Sequence, residues 1–485
     1  MSATNADIDD VFTGVPASYD EIFNSFLFLG ILYLMGDVIC QRGLKIVPSL
    51  VGYIATGVAL GPEGWDWIPM NPASWVTLGN IGLILLIAQA GLEMDLEVLK
   101  KIGVRGFIIA VVGSILPISI GMLLSWAVLN QTGSTVIAMG CCFGPTSAGI
   151  AINVLSQCSV LESPLGQLIV AAAIVDDILA LLVLSQLRAL TSESGEVLVA
   201  DIVIPIVSAF AWLFAGGGIA LFVMPKVVDR VCKWALATLP KPLLGIMGLD
   251  SETKDGPDSN KSQTIRLCLL LLFALLVCLV PATHHSQASY LLGAFLAGLS
   301  FCQMEGLAGV FQAECQLLID WLMRLFFAAT IGFQVPLSLF SDSKVVVNGV
   351  LLFVSLLGKI AVGPLLTPVL RSGSETETEI ETEIENKKRW TGEHVRNCAI
   401  VGFSMAGEAE FAFVVAVFGV SEGLIPPDLY ASIVFAILLS TIFSPLLLRT
   451  VLAVAPYEAE ETETLEAEES IQDKDSTAVA EVMEA

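Results

Sequence analysis

Two aspartates, Asp176 and Asp177, stand side by side inside the apolar stretch Leu168–Leu184. A charged side chain at bilayer depth costs roughly 2.5–3.5 kcal/mol even on lenient insertion scales. A helix cap or a soluble core helix would place the pair near an end. Here apolar residues flank it for about two helical turns or more on both sides. The residues read as an ion site at membrane depth. A buried cation accompanies them, because Lys359 lies inside the apolar run Leu351–Leu366. Neighbours on a helix project about 100° apart, so the two aspartates cannot share one role. One can face Lys359 while the other faces a cavity beside Thr146 and Ser147. Desolvation and a nearby ammonium act on such a carboxylate in opposite senses, which lets it hold either a proton or a metal cation. Competition between H+ and Na+ or K+ for one carboxylate, Asp177 or Asp176, is the minimal mechanism of an antiporter. It requires no cofactor, and the chain contains no Gly-x-x-x-x-Gly-Lys-Ser/Thr motif for a nucleotide.

The elements that must position these groups are membrane helices. Of 485 residues, 55% are hydrophobic and only 15% charged, below the roughly 25% of soluble domains, and the mean hydropathy is +0.80. Thirteen apolar runs are long enough to span: about 25–40, 47–62, 75–95, 104–129, 134–156, 165–188, 201–224, 265–282, 287–303, 320–337, 345–370, 397–419 and 428–452. The expectation is an all-α polytopic membrane protein over 25–453, with no separate soluble domain after it.

Two of the runs are interrupted. One holds Gly144-Pro145-Thr146-Ser147-Ala148-Gly149, where Pro145 lacks the amide that would bond the carbonyl of Cys141, leaving that oxygen free. The other holds Gly402–Glu410, with Gly407, Glu408 and Glu410. Irregular backbone at this depth survives only where protein buries it or a wet cavity borders it. Glycine-mediated packing explains single glycines but not Pro145 or Glu408. Each interruption falls in the middle helix of a trio, within 104–190 and 345–453. Paired breaks in inverted halves point to a transporter site at the midplane. The halves differ chemically: the positions equivalent to Asp176 and Asp177 are Ile437 and Leu438, and Lys359 has only Pro117 and its neighbours as counterpart.

Charge placement gives orientation. The net charge of −25 comes from the tail 1–24, the low-complexity run Glu375–Glu385 within the loop 371–396, and the tail 454–485. That composition reads as disordered linker and tails, the run having a regulatory or partner-binding role as its alternative. Lys and Arg concentrate in alternate short loops, around Arg42 and Lys45, Lys100 to Arg105, Lys226 to Arg266 and Arg371 to Arg396. The bias places the N-terminus outside or in a lumen and the C-terminus in the cytoplasm. No basic region opens a signal peptide, and nothing names the membrane. The ten cysteines lack Cys-x-x-Cys spacing and read as small buried residues. Asn130-Gln131-Thr132 is a glycosylation sequon close to the membrane, and His284–His285, at an outer helix end, read as solvated.

Several segments in this order carry a family resemblance: Val51–Pro62 (VGYIATGVALGP), Gly91–Asp95 (GLEMD), the Asp-Asp helix, Leu292–Gly298 (LGAFLAG), Phe326–Gly332 (FFAATIG), Lys359 and Gly407-Glu408. Over residues 25–453 the chain resembles the second group of monovalent cation:proton antiporters, the bacterial-type sodium/hydrogen or potassium/hydrogen exchangers. The resemblance implies that Asp177 binds the transported ion and that Asp176 partners Lys359. It places Thr146 and Ser147 where the broken helices cross. It further implies a homodimer with an elevator-like core. Paired aspartates accompany electrogenic exchange in this family. Two departures bear on cation preference: Gly-Pro-Thr-Ser stands where Ala-Thr-Ser is commoner, and Glu410 adds an acid near Glu408. The nucleotide-binding regulatory domain of some potassium-type relatives is not expected.

An intramembrane aspartyl protease would need its two aspartates on facing helices, which neighbours on one helix cannot supply, so an enzyme is not expected. Nor is a nucleic-acid partner. A passive cation channel is the alternative to the antiporter.

Overall fold

The computed structural model describes residues 19–44, 48–62, 64–67, 72–94, 96–161, 163–190, 199–238, 257–304, 306–319, 325–335, 337–365, 392–408 and 410–455. The acidic run at 375–385 and most of both tails lie outside them. Helices begin at Tyr19 and Gly392, within the bounds 1–24 and 371–396 expected for the tail and the acidic loop.

Among the described residues every element is helical. Helix α1 (Tyr19–Tyr33) runs into π-helical turns over Leu34–Leu44. Then come α2 (Ser49–Leu60), α3 (Pro72–Leu92), α4 (Leu96–Ala127), α5 (Ser134–Cys141), α6 (Ala148–Gln157) and α7 (Pro164–Ala189), which carries the aspartates. Helix α8 (Val199–Ala211) passes through two π-helical stretches into α9 (Met224–Thr238). Next are α10 (Pro257–His285), α11 (Tyr290–Leu299), α12 (Leu307–Ile319) and α13 (Ala328–Phe333). Helix α14 (Ser343–Phe353) tightens into a 3-10 turn before α15 (Leu357–Ile360) and α16 (Val362–Leu365). The last are α17 (Gly392–Met405), α18 (Glu410–Ser421) and α19 (Pro427–Val454).

Local chemistry sets several boundaries. Helices α3, α7, α10 and α19 begin on a proline, where the missing amide would have had no helical partner anyway. Asp342 caps α14 by accepting from the Lys344 amide at 3.0 Å, and Ser289 caps α11 by accepting from the Leu291 amide at 3.3 Å.

Among the described residues, eight helices are long and apolar enough to cross a membrane, or nine if the bent pair α17–α18 counts as one span. The expected thirteen are therefore not reached by length. The runs at 47–62 and 287–303 hold the short helices α2 and α11, and the described part of 320–337 holds α13 with a π-helical turn before it. A helix wrapped in protein need not match the hydrocarbon thickness, and every residue from Leu291 to Ser300 is buried. Helix α12 was not expected at all. It buries Leu307, Phe311, Cys315 and Ile319 at a spacing of four, a single narrow face.

Close approaches through glycine explain the motif segments. A side chain at Gly57 would strike the backbone of Ala329, and one at Gly332 the backbone of Ile54, Gly57 and Val58. Helices α2 and α13 therefore cross in near backbone contact. Gly91 and Gly298 do the same for α3 and α11, against the backbone of Phe295 and Ala88 respectively.

The helices pack as two groups. Helices α4–α7 associate with α14–α19, while α1–α3 associate with α10–α13, and the ion-site residues all belong to the first group.

Candidate ion site at the helix crossing

The first break occupies residues 142–147, between α5 and α6. The Cys141 carbonyl is not left free as expected: a tight turn gives it the Gly144 amide at 3.4 Å. The carbonyl that serves the site is that of Pro145 itself. Ser147 caps α6, its hydroxyl accepting from the Ile150 amide at 3.4 Å.

The second break lies between α17 and α18, whose axes differ by 41°. The two breaks bond to each other directly. The Ser147 amide donates to the Gly407 carbonyl at 2.6 Å, and the Thr146 hydroxyl donates to the Met405 carbonyl at 3.2 Å. Helix α19 supplies further partners to the second break. Ser440 Oγ accepts from the Glu408 amide at 3.1 Å and donates to the Ala406 carbonyl at 2.7 Å. Thr441 Oγ1 donates to the Glu408 carbonyl at 2.7 Å, and Ser444 Oγ donates to the Phe403 carbonyl at 2.6 Å. Every freed backbone group named here finds a partner without water, as membrane depth requires.

Lys359, on α15, is fully buried. Its Nζ donates to the Pro145 carbonyl and, at 3.0 Å, to Thr146 Oγ1. Asp176, also fully buried, accepts from the Thr146 amide at 2.5 Å through one oxygen and from the Ser114 hydroxyl through the other. The expected partnership of Asp176 with Lys359 takes the form of a charge interaction without a contact inside 4.0 Å. Thr146 stands between them, its amide on the carboxylate and its hydroxyl on the ammonium. Among the described residues, the ion pair within 4.0 Å that Lys359 makes is with Glu408 Oε1, at 3.9 Å. Asp176 is turned towards Ser114 of α4 and the Thr146 amide of the first break, which occupy its two oxygens.

Asp177 differs from its neighbour in keeping partial exposure. The charged residues acting on it are Asp176, Glu410 and Lys359. The structure thus assembles Pro145, Thr146, Ser147, Asp176, Asp177, Lys359, Gly407 and Glu408 around one crossing. It leaves His284 and His285 exposed at the far end of α10, in the other helix group.

Sequence reading missed Ser114, Ser440 and Thr441. A polar residue within an apolar run was the available signal for each, but hydroxyls that back-bond within a helix are common and did not stand out. It also passed over Asp37, an acid in the first apolar run, which accepts from the Tyr53 hydroxyl at 2.6 Å in the helix group away from the crossing.

The chemistry of this arrangement is that of a cation and proton site. Three carboxylates at the crossing face a single ammonium, in surroundings where a charge is tolerated only with a counter-ion.

Comparison with known proteins identifies the family. Residues 28–454 match the family described as sodium/hydrogen exchanger, transmembrane. An Enterococcus hirae protein named Na(+)/H(+) antiporter is 28% identical over 430 residues, covering 87% of this chain and 97% of that protein. The Na(+)/H(+)-K(+) antiporter GerN of Bacillus cereus is 24% identical over 436 residues, covering 89% and 96%. The structure of the sodium proton antiporter MjNhaP1 from Methanocaldococcus jannaschii superposes with a TM-score of 0.56 at 17% identity, covering 89% of this chain and 100% of that one. That superposition speaks to the fold alone. With a family match running from the first described helix to the last, this multi-pass membrane chain belongs to the sodium/hydrogen exchanger family.

Proposed function

We propose that the protein is a secondary active antiporter that exchanges a monovalent cation, Na+ or K+, for protons by alternating access. The observation that carries this reading is the bond between the two helix breaks, Ser147 to Gly407, formed beside two membrane-depth aspartates. Asp177 is the exchanging carboxylate, because it alone of the pair retains exposure. Asp176 has both oxygens committed to protein donors and shapes the site from behind. Transport then moves the α4–α7/α14–α19 group, which contains the site, against the remaining helices. Relatives named as Na(+)/H(+) and Na(+)/H(+)-K(+) antiporters support the substrate class. A homodimer, with the N-terminus outside or lumenal and the C-terminus cytoplasmic, completes the proposal.

The test is purified protein in liposomes holding a pH-sensitive dye, with Na+, K+ or Li+ added in turn, with and without an imposed voltage. Each transported cation should move protons in the opposite direction, and Asp177→Asn should abolish that movement. Full activity in that variant, or a cation current indifferent to the proton gradient, would sink the proposal.

A further inference from the structure

Glu408 is fully buried, and neither of its carboxylate oxygens has a hydrogen-bond partner. Its backbone is fully engaged by Ser440 and Thr441, so the residue is fixed in place while its side chain is not satisfied. An unpaired carboxylate at this depth is costly, and one charged group lies in reach. Lys359 Nζ is 3.9 Å from Oε1. An ammonium has three N–H donors. Two of them serve Pro145 and Thr146 on the first break, and one remains. A shift of the ammonium by about 1 Å would complete a charge-assisted bond to Glu408 of ordinary length.

We infer that Glu408 is the positioning residue for Lys359, holding the ammonium between the two helix breaks and so setting how readily the aspartate pair exchanges its proton for a cation. Asp176 is held by a hydroxyl and an amide, both neutral donors, and needs no direct ammonium contact. Glu408 adds a countercharge to Lys359 beside those of Asp176 and Asp177. Removing it leaves Lys359 to act on Asp176 and Asp177 alone and takes a negative charge from their vicinity. Both changes help protons leave the aspartates. The titratable groups acting on Glu408 are Lys359 from α15, Asp176 from α7 and Cys142 beside α5, while Asp177 and Glu410, at the start of α18, act on each other next to them. Helix α19 presents only hydroxyls there. Helix α17 carries His394, Arg396 and Cys398 well before the break. The inference rests on the antiporter reading and names a further residue for that same site.

The experiment is a two-residue cycle in the liposome assay: wild type, Glu408→Gln, Lys359→Met and the double variant, with Glu408→Asp as the conservative control. Glu408→Gln should move the pH of half-maximal cation-driven proton flux by about 1 unit to the acid side, and Glu408→Asp should return it towards wild type. In the Lys359→Met background the same Gln substitution should shift the profile by less than half as much. An equal shift in both backgrounds, or no shift in wild type, overturns the inference. Thermal unfolding of the same four proteins in detergent is read in parallel, so the pairing is tested even if wild type moves no protons. Coupling of the two substitutions in unfolding temperature supports it, and strict additivity overturns it. If Glu408→Gln yields no folded protein, recovery of the double variant supports the pairing, and its loss as well overturns it.

Discussion

Thr146 is the most connected residue of the site: its amide holds Asp176, and its hydroxyl accepts from Lys359 and donates to the Met405 carbonyl. Thr146→Val keeps the amide and the shape but removes the hydroxyl. Transport should fall by tenfold or more, about 1.4 kcal/mol, while expression and monodispersity stay near wild type. Thr146→Ser, which restores the hydroxyl, should recover most of the flux. Ser114 makes the complementary contact from α4. Ser114→Ala strands one oxygen of a buried carboxylate, a loss of about 1–3 kcal/mol, which thermal unfolding in detergent measures. The charged residues of this site were legible in the sequence because a charge in an apolar run is conspicuous. Their pairings were not, because which donors reach each carboxylate depends on how helices far apart in sequence pack together.

At the scale of elements, the breaks are made by proline and small residues and held by hydroxyls from a third helix. Their locations in the chain follow from Pro145 and from Gly407-Glu408, whereas the bond between them follows only from the crossing. The glycine crossings are equally local in cause. Gly57→Leu should force α2 away from α13, since the obstacle is the Ala329 backbone rather than a movable side chain. Overpacking of this kind costs about 1–3 kcal/mol, read as a lowered unfolding temperature. Gly309→Ala, on α12, meets open space and should leave that temperature within error of wild type. Helix α12 escaped notice because its face repeats every four residues over a run too short to resemble a span.

For the whole molecule, the positive-inside bias makes a topological prediction that the bond list does not. With the native cysteines replaced, Ser251→Cys should react with a membrane-impermeant maleimide only from the cytoplasmic side, and Gln131→Cys only from the opposite side. The reverse pattern would invert the protein. Large apolar side chains on α8, α9 and the π-helical stretches between them, among them Phe210, Phe214, Phe222 and Trp234, are exposed and suit a lipid-facing wall. The site lies among α4–α7 and α14–α19, so a transport movement that displaces that group carries Asp176, Asp177, Lys359 and Glu408 together.

By itself the sequence determined that the chain is a polytopic helical membrane protein, that acids and a lysine lie at bilayer depth, and that two of its helices are broken. These are matters of composition and of what a bilayer tolerates, and they need no partner residue to be visible. The tertiary structure alone decided that Thr146 stands between Lys359 and Asp176 with Glu408 3.9 Å from the ammonium, that hydroxyls of α19 bond backbone groups of the second break, and that some apolar runs become short buried helices. Those outcomes depend on which faces rotate into contact across long sequence separations. In a medium without water, each polar group is satisfied by whatever packing brings near.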